Sequence, residues 1–304
     1  MKSSPRVLVF FIHYKNLDDT LETLESAGKL DYPDFTITVL DNGSTPTSVA
    51  ALKQSPVKFN LIASKKNLGF AGGFNFGVQS SLGDYDYIFF INNDVKLEPD
   101  CLRFLVETAE ADEKVGLLSP RINYYFDQDR IWYNGGLVKM LQTKGVHQDL
   151  DKKESELAEA ARPRETGFAA GCAVLIKKKV LEKIGWWSED YFLYHEDVDF
   201  SLRAKKAGFL VLLEPRAKIY HKISRATEPG SSKYIYYHVR NGLVVAWKMG
   251  NNWQRIALII FSVLRLLKQL PKFLIPGKAR WARAIIKGTV DFYLGRRGEI
   301  TSNF

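Results

Sequence analysis

The stretch Tyr87-Ile88-Phe89-Phe90-Ile91-Asn92-Asn93-Asp94 indicates how this chain folds. Five consecutive aromatic or β-branched residues are followed directly by three short polar ones. A continuous apolar run that ends in turn-forming residues is typical of a strand buried on both faces of a parallel sheet. Asp94 would then lie at the carboxyl end of the strand, where open α/β sheets bind ligands, and could hold a divalent cation. The alternative is that Asp94 only caps a helix that begins near Pro99.

Similar apolar runs alternate with segments of helical periodicity along most of the chain. This alternation predicts an α/β fold with a mostly parallel central sheet flanked by helices on both faces. The segment 124–164 is polar and charged, and we expect irregular strands there and a mobile loop near 150–162. Strands are predicted at 7–12, 35–40, 59–63, 87–91, 115–120, 169–176, 209–213 and 218–221.

Length and composition predict a globular chain with a sizeable core. It has 304 residues, of which 46% are hydrophobic and 25% charged. The two cysteines, Cys101 and Cys172, offer neither a disulfide framework nor zinc-ligand spacing, so we expect both to be reduced and buried. The apolar run 7–12 is too short for a signal peptide, and no stretch has 18 uninterrupted apolar residues, so the sequence predicts no membrane span.

The excess positive charge is confined to the carboxyl-terminal segment. Residues 1–247 contain 32 basic and 32 acidic residues, whereas residues 248–297 contain 11 basic residues and one acid, Asp291. We therefore predict two regions, 1–247 and 248–304, and a negatively charged partner for the second. Its apolar residues fall on one helical face, which favours an anionic membrane surface over nucleic acid, for which no recognition motif is present. The alternative is a helix packed on the first region with its basic face in solvent.

Three acidic turns are candidates for chemistry. Asp41 and Asp94 each end a predicted strand, and Glu196, Asp197 and Asp199 open a helix that continues to Ala207. A carboxylate at a helix amino terminus stays ionised and can act as a general base. Asp199 and Arg203 are four residues apart and can form a structural ion pair, and each acidic residue could also simply be a cap.

The glycine-rich run from Asn67 to Gly77 leads into a predicted helix. A helix amino terminus reached through glycines favours phosphate, although close packing of helix on sheet is equally compatible with the run. It lacks the Gly-Lys-Ser/Thr of a Walker loop and does not follow the first strand, as a dinucleotide fingerprint should. The aromatic group Trp186, Trp187, Tyr191 and Phe192 can be core or can stack on a sugar ring.

Taken together, these motifs resemble the family-2 nucleotide-sugar glycosyltransferases with the GT-A fold, and most closely their rhamnosyltransferase-like branch. The resemblance covers residues 6–247. It rests on Asp41-Asn42-Gly43-Ser44, the run 67–77, Asn92-Asn93-Asp94, Glu196-Asp197-Val198-Asp199 with Arg203, and Tyr220-His221.

The resemblance implies an inverting transfer of a sugar from a nucleotide-diphosphate donor to a saccharide or lipid-linked acceptor. Asp197 would be the catalytic base, and Asp94 with His221 would hold Mg²⁺ or Mn²⁺. Trp186, Trp187 and Glu196 would lie near the acceptor or behind the base. The residues expected to line the nucleotide-sugar pocket are Asp41, Asn67, Gly69, Asn75, Asn93 and Asp94.

One residue departs from the family pattern. The metal motif is often Asp-X-Asp, but Asn92 occupies its first position and offers only a neutral oxygen. A non-catalytic nucleotide-sugar-binding or scaffold protein is therefore the rival hypothesis, while a dehydrogenase is disfavoured by the missing fingerprint. Among donors the resemblance favours dTDP-rhamnose, with UDP-hexoses next. It also implies a cytoplasmic enzyme bound peripherally to the inner face of the cell membrane.

Overall fold

A mixed ten-stranded sheet crosses the molecule in the computed structural model, which describes residues 4–81, 83–157, 162–223 and 230–300. The strands are β1 Val7–His13, β2 Phe35–Asn42, β3 Asn60–Ser64, β4 Tyr87–Ile91, β5 Val95–Leu97, β6 Val115–Tyr124, β7 Ile131–Tyr133, β8 Gly136–Lys139, β9 Lys144–His147, β10 Arg164–Glu165, β11 Ala173–Lys177 and β12 Leu210–His221. The helices are α1 Leu17–Ala27, α2 Pro46–Leu52, α3 Gly69–Ser80, α4 Cys101–Ala111, α5 Lys178–Ile184, α6 Glu196–Lys206, α7 Ser232–Met249, α8 Asn252–Leu267 and α9 Ala279–Tyr293.

The strand order is β10-β12-β6-β11-β4-β1-β2-β3, with β5 paired to β12 and β7 to β6, while β8 and β9 form a separate hairpin. Alternate residues of β1 face opposite sides of the sheet. Val7 and Val9 belong to a core with α1 and α4, whereas Leu8 and Phe10 belong to a core with α3, α5 and α6. Both faces are covered, which explains the unbroken apolar strands. The predicted α/β class with a central sheet flanked by helices is confirmed.

Two strands differ from the sequence-based expectation. β11 runs antiparallel to both of its neighbours, β4 and β6, so parallel pairing is confined to β3-β2-β1-β4 and β6-β12. The predicted strands 209–213 and 218–221 are one strand, β12, with an irregularity between Glu214 and Lys218. Pro215 breaks the alternation there, but β6 pairs with β12 on both sides of it, so the strand continues.

The predicted loop 150–162 is only partly within the described residues, since 158–161 lie outside them. Its first part is held against β7, because the Ile131 amide donates to Lys152 O at 2.9 Å and the Asp151 amide donates to Ile131 O at 2.9 Å. Glu154 adds an ion pair with Arg121 at 2.9 Å. Residues 150–157 are therefore hydrogen-bonded to the sheet rather than loosely attached.

The carboxyl-terminal helices pack on one another. Tyr236 on α7 donates its hydroxyl to Asp291 on α9 at 2.8 Å, and Gly288 lets the two helices approach closely. Helix α8 begins at a capping box formed by Asn251 and Gln254. None of the helices in the described part of the chain is long and apolar enough to cross a membrane. Both cysteines are free and buried, as predicted.

Candidate active site

The carboxyl edge of the sheet brings the first two acidic turns together. β1 pairs in parallel with β2 and β4, which places His13 opposite Asp41 and Phe11 opposite Ile91, three residues before Asp94. Asp41 is 5% exposed, and its Oδ1 accepts a hydrogen bond from the Ser44 amide at 2.9 Å. Because parallel strands end at a common edge, Asp41 and Asp94 lie at the same edge of the sheet.

Asn42 shapes the loop that enters α3. Its Oδ1 accepts from the Leu68 amide at 2.9 Å, and its Nδ2 donates to Asn67 Oδ1 at 3.1 Å. Asn67 Oδ1 also accepts from the Gly69 amide at 2.9 Å. Gly69 has φ +74°, and a Cβ there would lie 2.7 Å from the Phe192 ring. The loop is thus fixed by two asparagines, of which sequence reasoning assigned a role only to Asn67.

The rest of the glycine run has a packing function. A Cβ on Gly73 would lie 2.9 Å from Ile12 Cδ1, and one on Gly77 only 2.2 Å from Phe10 Cζ. Asn75 is 6% exposed, and its amide donates to Trp187 O at 2.9 Å and accepts from the Trp187 amide at 3.1 Å. These bonds tie α3 to the segment before α6. They give Asn75 a structural role, and its place in the nucleotide-sugar pocket stays a prediction.

Asp94 and His221 are brought together by the antiparallel pairing of β5 with β12, which sets His221 opposite Val95. Asp94 Oδ1 lies 3.0 Å from His221 Nε2. Burial alone would raise the pKa of Asp94, but the charge of His221 and its hydrogen bond lower that pKa below its ordinary value. Burial likewise opposes protonation of His221, yet Asp94 and the nearby Cys172 raise its pKa to about 10. Asp94 and His221 thus stabilise each other's charged form.

The donor chemistry of this pair fits a divalent cation. A carboxylate oxygen and an imidazole nitrogen 3.0 Å apart share a proton that a cation can displace. Within the described ranges no cluster of three or more His, Cys, Asp and Glu side chains is present that could hold a metal. Further ligands would have to come from water or substrate phosphate, as is common for Mg²⁺. The Asn92 side chain hydrogen-bonds Asp94 and helps to keep it ionised.

Asn93 and Lys222 anchor the Asp94 turn to α1. Asn93 Nδ2 donates to Thr20 Oγ1 at 2.9 Å, and Lys222 Nζ lies 2.6 Å from Asp19 Oδ1. The Lys222 amide also donates to Asp94 O at 3.0 Å. Sequence reasoning assigned no role to Lys222. Its position directly after His221, four residues beyond a bulge, becomes informative only once β12 is known to be continuous.

Asp197 lies at the amino terminus of α6 and is partly exposed. Its Oδ2 accepts from the Gly171 amide at 2.9 Å, and its Oδ1 from the Val198 amide at 2.7 Å. Burial raises the pKa of Asp197 despite these bonds. A carboxylate with a raised pKa suits proton abstraction, because its ionised form is the more basic one. The Asn92 amide donates to Cys172 O at 2.9 Å, so Asp197 and the Asp94 turn are joined through residues 171–172.

The neighbours of Asp197 have different roles. Glu196 is 5% exposed and its Oε2 has no hydrogen-bond partner within the described residues. Burial, and then the charge of Asp197, raise the pKa of Glu196 well above its ordinary value, which disfavours it as an ionised base. Asp199 accepts from Tyr191 Oη at 2.9 Å and from Arg203 Nε at 2.8 Å. The predicted structural pair of Asp199 and Arg203 is therefore present.

The segment before α6 has an unusual backbone. Phe192, Tyr194 and His195 all have positive φ, at 60°, 67° and 73°. Left-handed conformations of bulky residues are strained and persist only when other contacts impose them. Asn241 on α7 supplies such contacts, since its Nδ2 lies 2.9, 2.7 and 3.0 Å from the carbonyl oxygens of Tyr191, Leu193 and Tyr194.

Two aromatic residues of this segment separate by exposure. Trp187 is 2% exposed and stacks on Phe74 with ring centroids 4.8 Å apart, inside the core. Trp186 is 38% exposed. Of the two, only Trp186 presents a ring that an acceptor could contact.

The fold is shared with solved glycosyltransferases of the GT-A class. The structure of GalNAc-T7 with UDP, GalNAc and Mn²⁺ matches 79% of this chain and 48% of its own, with a TM-score of 0.63 and 14% identity. The mannosyltransferase PcManGT from Pyrobaculum calidifontis, solved with GDP-Man and Mn²⁺, matches 97% of this chain and 89% of its own, with a TM-score of 0.61 and 15% identity.

The sequence places the chain within one family of that class. Residues 8–185 match the glycosyl transferase family 2, and the chain belongs to that family, so it is a glycosyltransferase. It is 24% identical over 244 residues to N-acetylglucosaminyl-diphospho-decaprenol L-rhamnosyltransferase of Mycobacterium tuberculosis, covering 73% of this chain and 78% of the relative. It is 23% identical over 302 residues to the low-salt glycan biosynthesis hexosyltransferase Agl10 of Haloferax volcanii, covering 96% and 92%.

Proposed function

We propose that the chain is an inverting glycosyltransferase that moves a sugar from a nucleotide-diphosphate donor to a hydroxyl of a saccharide or lipid-linked acceptor. The observation that carries this proposal is the link between Asp197 and the Asp94–His221 pair across residues 171–172. A proton acceptor and a cation-binding pair at one sheet edge are the two functions that sugar transfer needs.

We assign the following roles to the residues at this edge of the sheet. Asp197 accepts the proton of the acceptor hydroxyl as the new glycosidic bond forms, with its carboxylate oriented by the amides of Gly171 and Val198. Asp94 and His221 hold a divalent cation, Mg²⁺ or Mn²⁺, which when bound neutralises charge on the departing diphosphate. Asp41, Asn67, Gly69 and Asn93 border the nucleotide-sugar, and Glu196, whose pKa is raised by burial, lies behind the base.

The donor that we favour is dTDP-rhamnose, from which rhamnose would be transferred. The named activity of the Mycobacterium tuberculosis relative and the rhamnosyltransferase-like motifs support it. A UDP-hexose is the alternative, which the hexosyltransferase name of the Haloferax volcanii relative supports.

We also propose that residues 1–247 form the catalytic region and 248–304 a region that docks on the inner face of the cell membrane. The confinement of the excess positive charge to residues 248–297 supports this division. The boundary falls within the last turn of α7, which ends at Met249.

A donor screen tests the proposal. The protein is titrated with dTDP-rhamnose, UDP-hexoses and GDP-mannose, with Mg²⁺, Mn²⁺ or EDTA, while the melting temperature and donor hydrolysis are measured. Asp94→Ala should lose metal-dependent donor binding. The matched control is Asp31→Ala, an exposed carboxylate that precedes β2 at the opposite edge of the sheet. Equal donor affinity in Asp94→Ala, with and without metal, would refute the cation site. Stabilisation by a donor with neither hydrolysis nor transfer would favour the rival, non-catalytic binding protein.

A further inference from the structure

Helix α8 and the segment after it leave a broad apolar surface in solvent. Only Leu258 and Ser262 are buried among the 16 residues of α8, although the helix touches both α7 and α9. The helix thus packs along one narrow edge. The exposed apolar side chains between 253 and 275, which we call the α8 surface, are Trp253, Ile256, Ile259, Ile260, Phe261, Val263, Leu264, Leu267, Leu270, Phe273, Leu274 and Ile275.

Unpaired positive charge accompanies this surface. Lys268 directly follows the last residue of α8, and Lys278, Arg280 and Arg283 come later in the chain. All four side chains are exposed. In the part of the chain that the structure describes, none of the four forms an ion pair with a carboxylate. Asp291 is already engaged by Lys287 at 2.8 Å. These cations therefore have no partner of opposite charge within the described fold.

We infer that the α8 surface inserts into the headgroup region of an anionic lipid bilayer, with the four cations at the level of the lipid phosphates. This deepens the proposed membrane docking and rests on it. A helix with a wide apolar face, an aromatic residue and flanking basic residues is the pattern of interfacial binding. A second copy of the chain is the less suitable occupant, because a two-fold interface through this surface would bring like charges together.

The position of α8 relates this surface to the catalytic cleft. Arg265 Nη2 on α8 donates to Thr143 Oγ1 at 3.0 Å, in the turn of the β8–β9 hairpin. The same hairpin packs through Gly145 against Val198, the residue after Asp197. A bilayer bound to the α8 surface would therefore lie on the side of the hairpin away from α6.

The test needs the full chain, because α9 covers part of α7. Tyr236, Asp291 and Gly288 join the two helices, so removing residues 248–304 would expose the face of α7 that α9 covers. Point variants avoid this problem. Trp253 and Leu274 are 80% and 87% exposed, so replacing them with Ser changes little in the free protein. Phe126 is 74% exposed and lies between β6 and β7, which makes Phe126→Ser the matched control.

Binding is measured by co-sedimentation with vesicles of phosphatidylcholine alone and of equal parts phosphatidylcholine and phosphatidylglycerol. Wild type and Phe126→Ser should bind the anionic vesicles alike, and the double variant Trp253→Ser, Leu274→Ser should bind roughly tenfold or more weakly, because two large apolar side chains no longer enter the interface. The quadruple variant Lys268→Gln, Lys278→Gln, Arg280→Gln, Arg283→Gln should lose most of the preference for vesicles that contain phosphatidylglycerol. Added salt should weaken the binding of the wild type to these vesicles.

Equal binding of wild type and the double variant to anionic vesicles would overturn the inference. If the wild type does not bind vesicles and elutes as a dimer, whereas the double variant elutes as a monomer, the α8 surface would instead be an interface with a second copy of the chain. Donor hydrolysis is measured in parallel without lipid. The two readouts separate the outcomes: vesicle binding that the double variant retains is failure of this inference, whereas a wild type without donor hydrolysis is failure of the proposed function.

Discussion

Replacing Asp197 with Asn should abolish most sugar transfer while leaving donor binding nearly unchanged. The substitution preserves the size of the side chain but removes its ability to accept a proton. Donor contacts are assigned to Asp41, Asn67 and Asp94, which lie in other turns and loops, so the donor dissociation constant should stay within a factor of about two to three. The loss should therefore appear in kcat rather than in donor affinity.

The magnitude follows from the contacts of the carboxylate. A positioned general base contributes roughly 10²–10⁴-fold in rate, or about 3–5 kcal/mol of barrier. Both oxygens of Asp197 accept a backbone amide, from Gly171 at 2.9 Å and from Val198 at 2.7 Å. An Asn side chain has one oxygen, so one amide loses its acceptor at a cost of about 1–3 kcal/mol of folding stability. The melting temperature should fall by about 2–4 °C for each kcal/mol.

The assay combines donor titration, steady-state rates per folded molecule and thermal denaturation. Asp199→Asn is the matched control, two residues away on the same helix. It weakens bonds with Tyr191 and Arg203 at 2.9 and 2.8 Å, and breaking a buried pair costs up to about 3–5 kcal/mol. Asp199→Asn should lower the melting temperature more than Asp197→Asn does, with less effect on turnover. Because burial raises the pKa of Asp197, wild-type kcat should rise with pH through that raised pKa.

The reasoning is refuted if Asp197→Asn is folded, binds donor and turns over at the wild-type rate. The base would then have to be another group, of which Glu196 is the nearest. Equal losses of kcat in Asp197→Asn and Asp199→Asn would instead mean that both substitutions disturb the amino terminus of α6, and that the loss is not due to removal of one proton acceptor.

Two further perturbations test how the base is held. Asn241→Ala removes the donor to three carbonyl groups of the segment before α6, so folding stability should fall by about 1–3 kcal/mol and kcat should fall more than donor affinity. The control Asn251→Ala removes the cap of α8 and should lower folding stability alone. Similar kinetics for both variants would contradict a role of Asn241 in positioning Asp197. Glu196 has a folded pKa above its unfolded value of about 4.3, so its contribution to stability is full below that value and is lost as pH rises through the folded pKa. The melting temperature of Glu196→Gln should therefore rise relative to that of the wild type as pH rises. Melting temperatures of the two proteins that change in parallel with pH would contradict the raised pKa of Glu196.

The sequence alone predicted the elements that local pattern controls. The apolar runs 7–12, 35–40 and 87–91 are strands in the structure because burial on both faces requires unbroken hydrophobicity. Asp41 and Asp94 fall at one edge because parallel strands end together. The spacing of Asp199 and Arg203 predicted their ion pair, since residues four apart on a helix are neighbours.

Tertiary structure alone decided the features that depend on distant segments. The pairing of β5 with β12 joins Asp94 to a histidine 127 residues later, and for that pair the sequence offered only resemblance. Asn75 and Trp187 face inward because the side-chain amide of Asn75 hydrogen-bonds the backbone of Trp187, 112 residues away in the sequence. The strained backbone before α6 is imposed by Asn241 from a helix that no local pattern connects to it.

The carboxyl-terminal helix shows where the boundary between the two lies. Its periodicity and charge are local properties, so the sequence predicted an amphipathic basic helix but left open whether its apolar side faces the protein or the outside. Burial is a property of the whole fold, because it depends on which surfaces remain uncovered after every other element has packed. Only the structure therefore determined that Leu258 and Ser262 are the buried residues of α8 and that the α8 surface stays exposed.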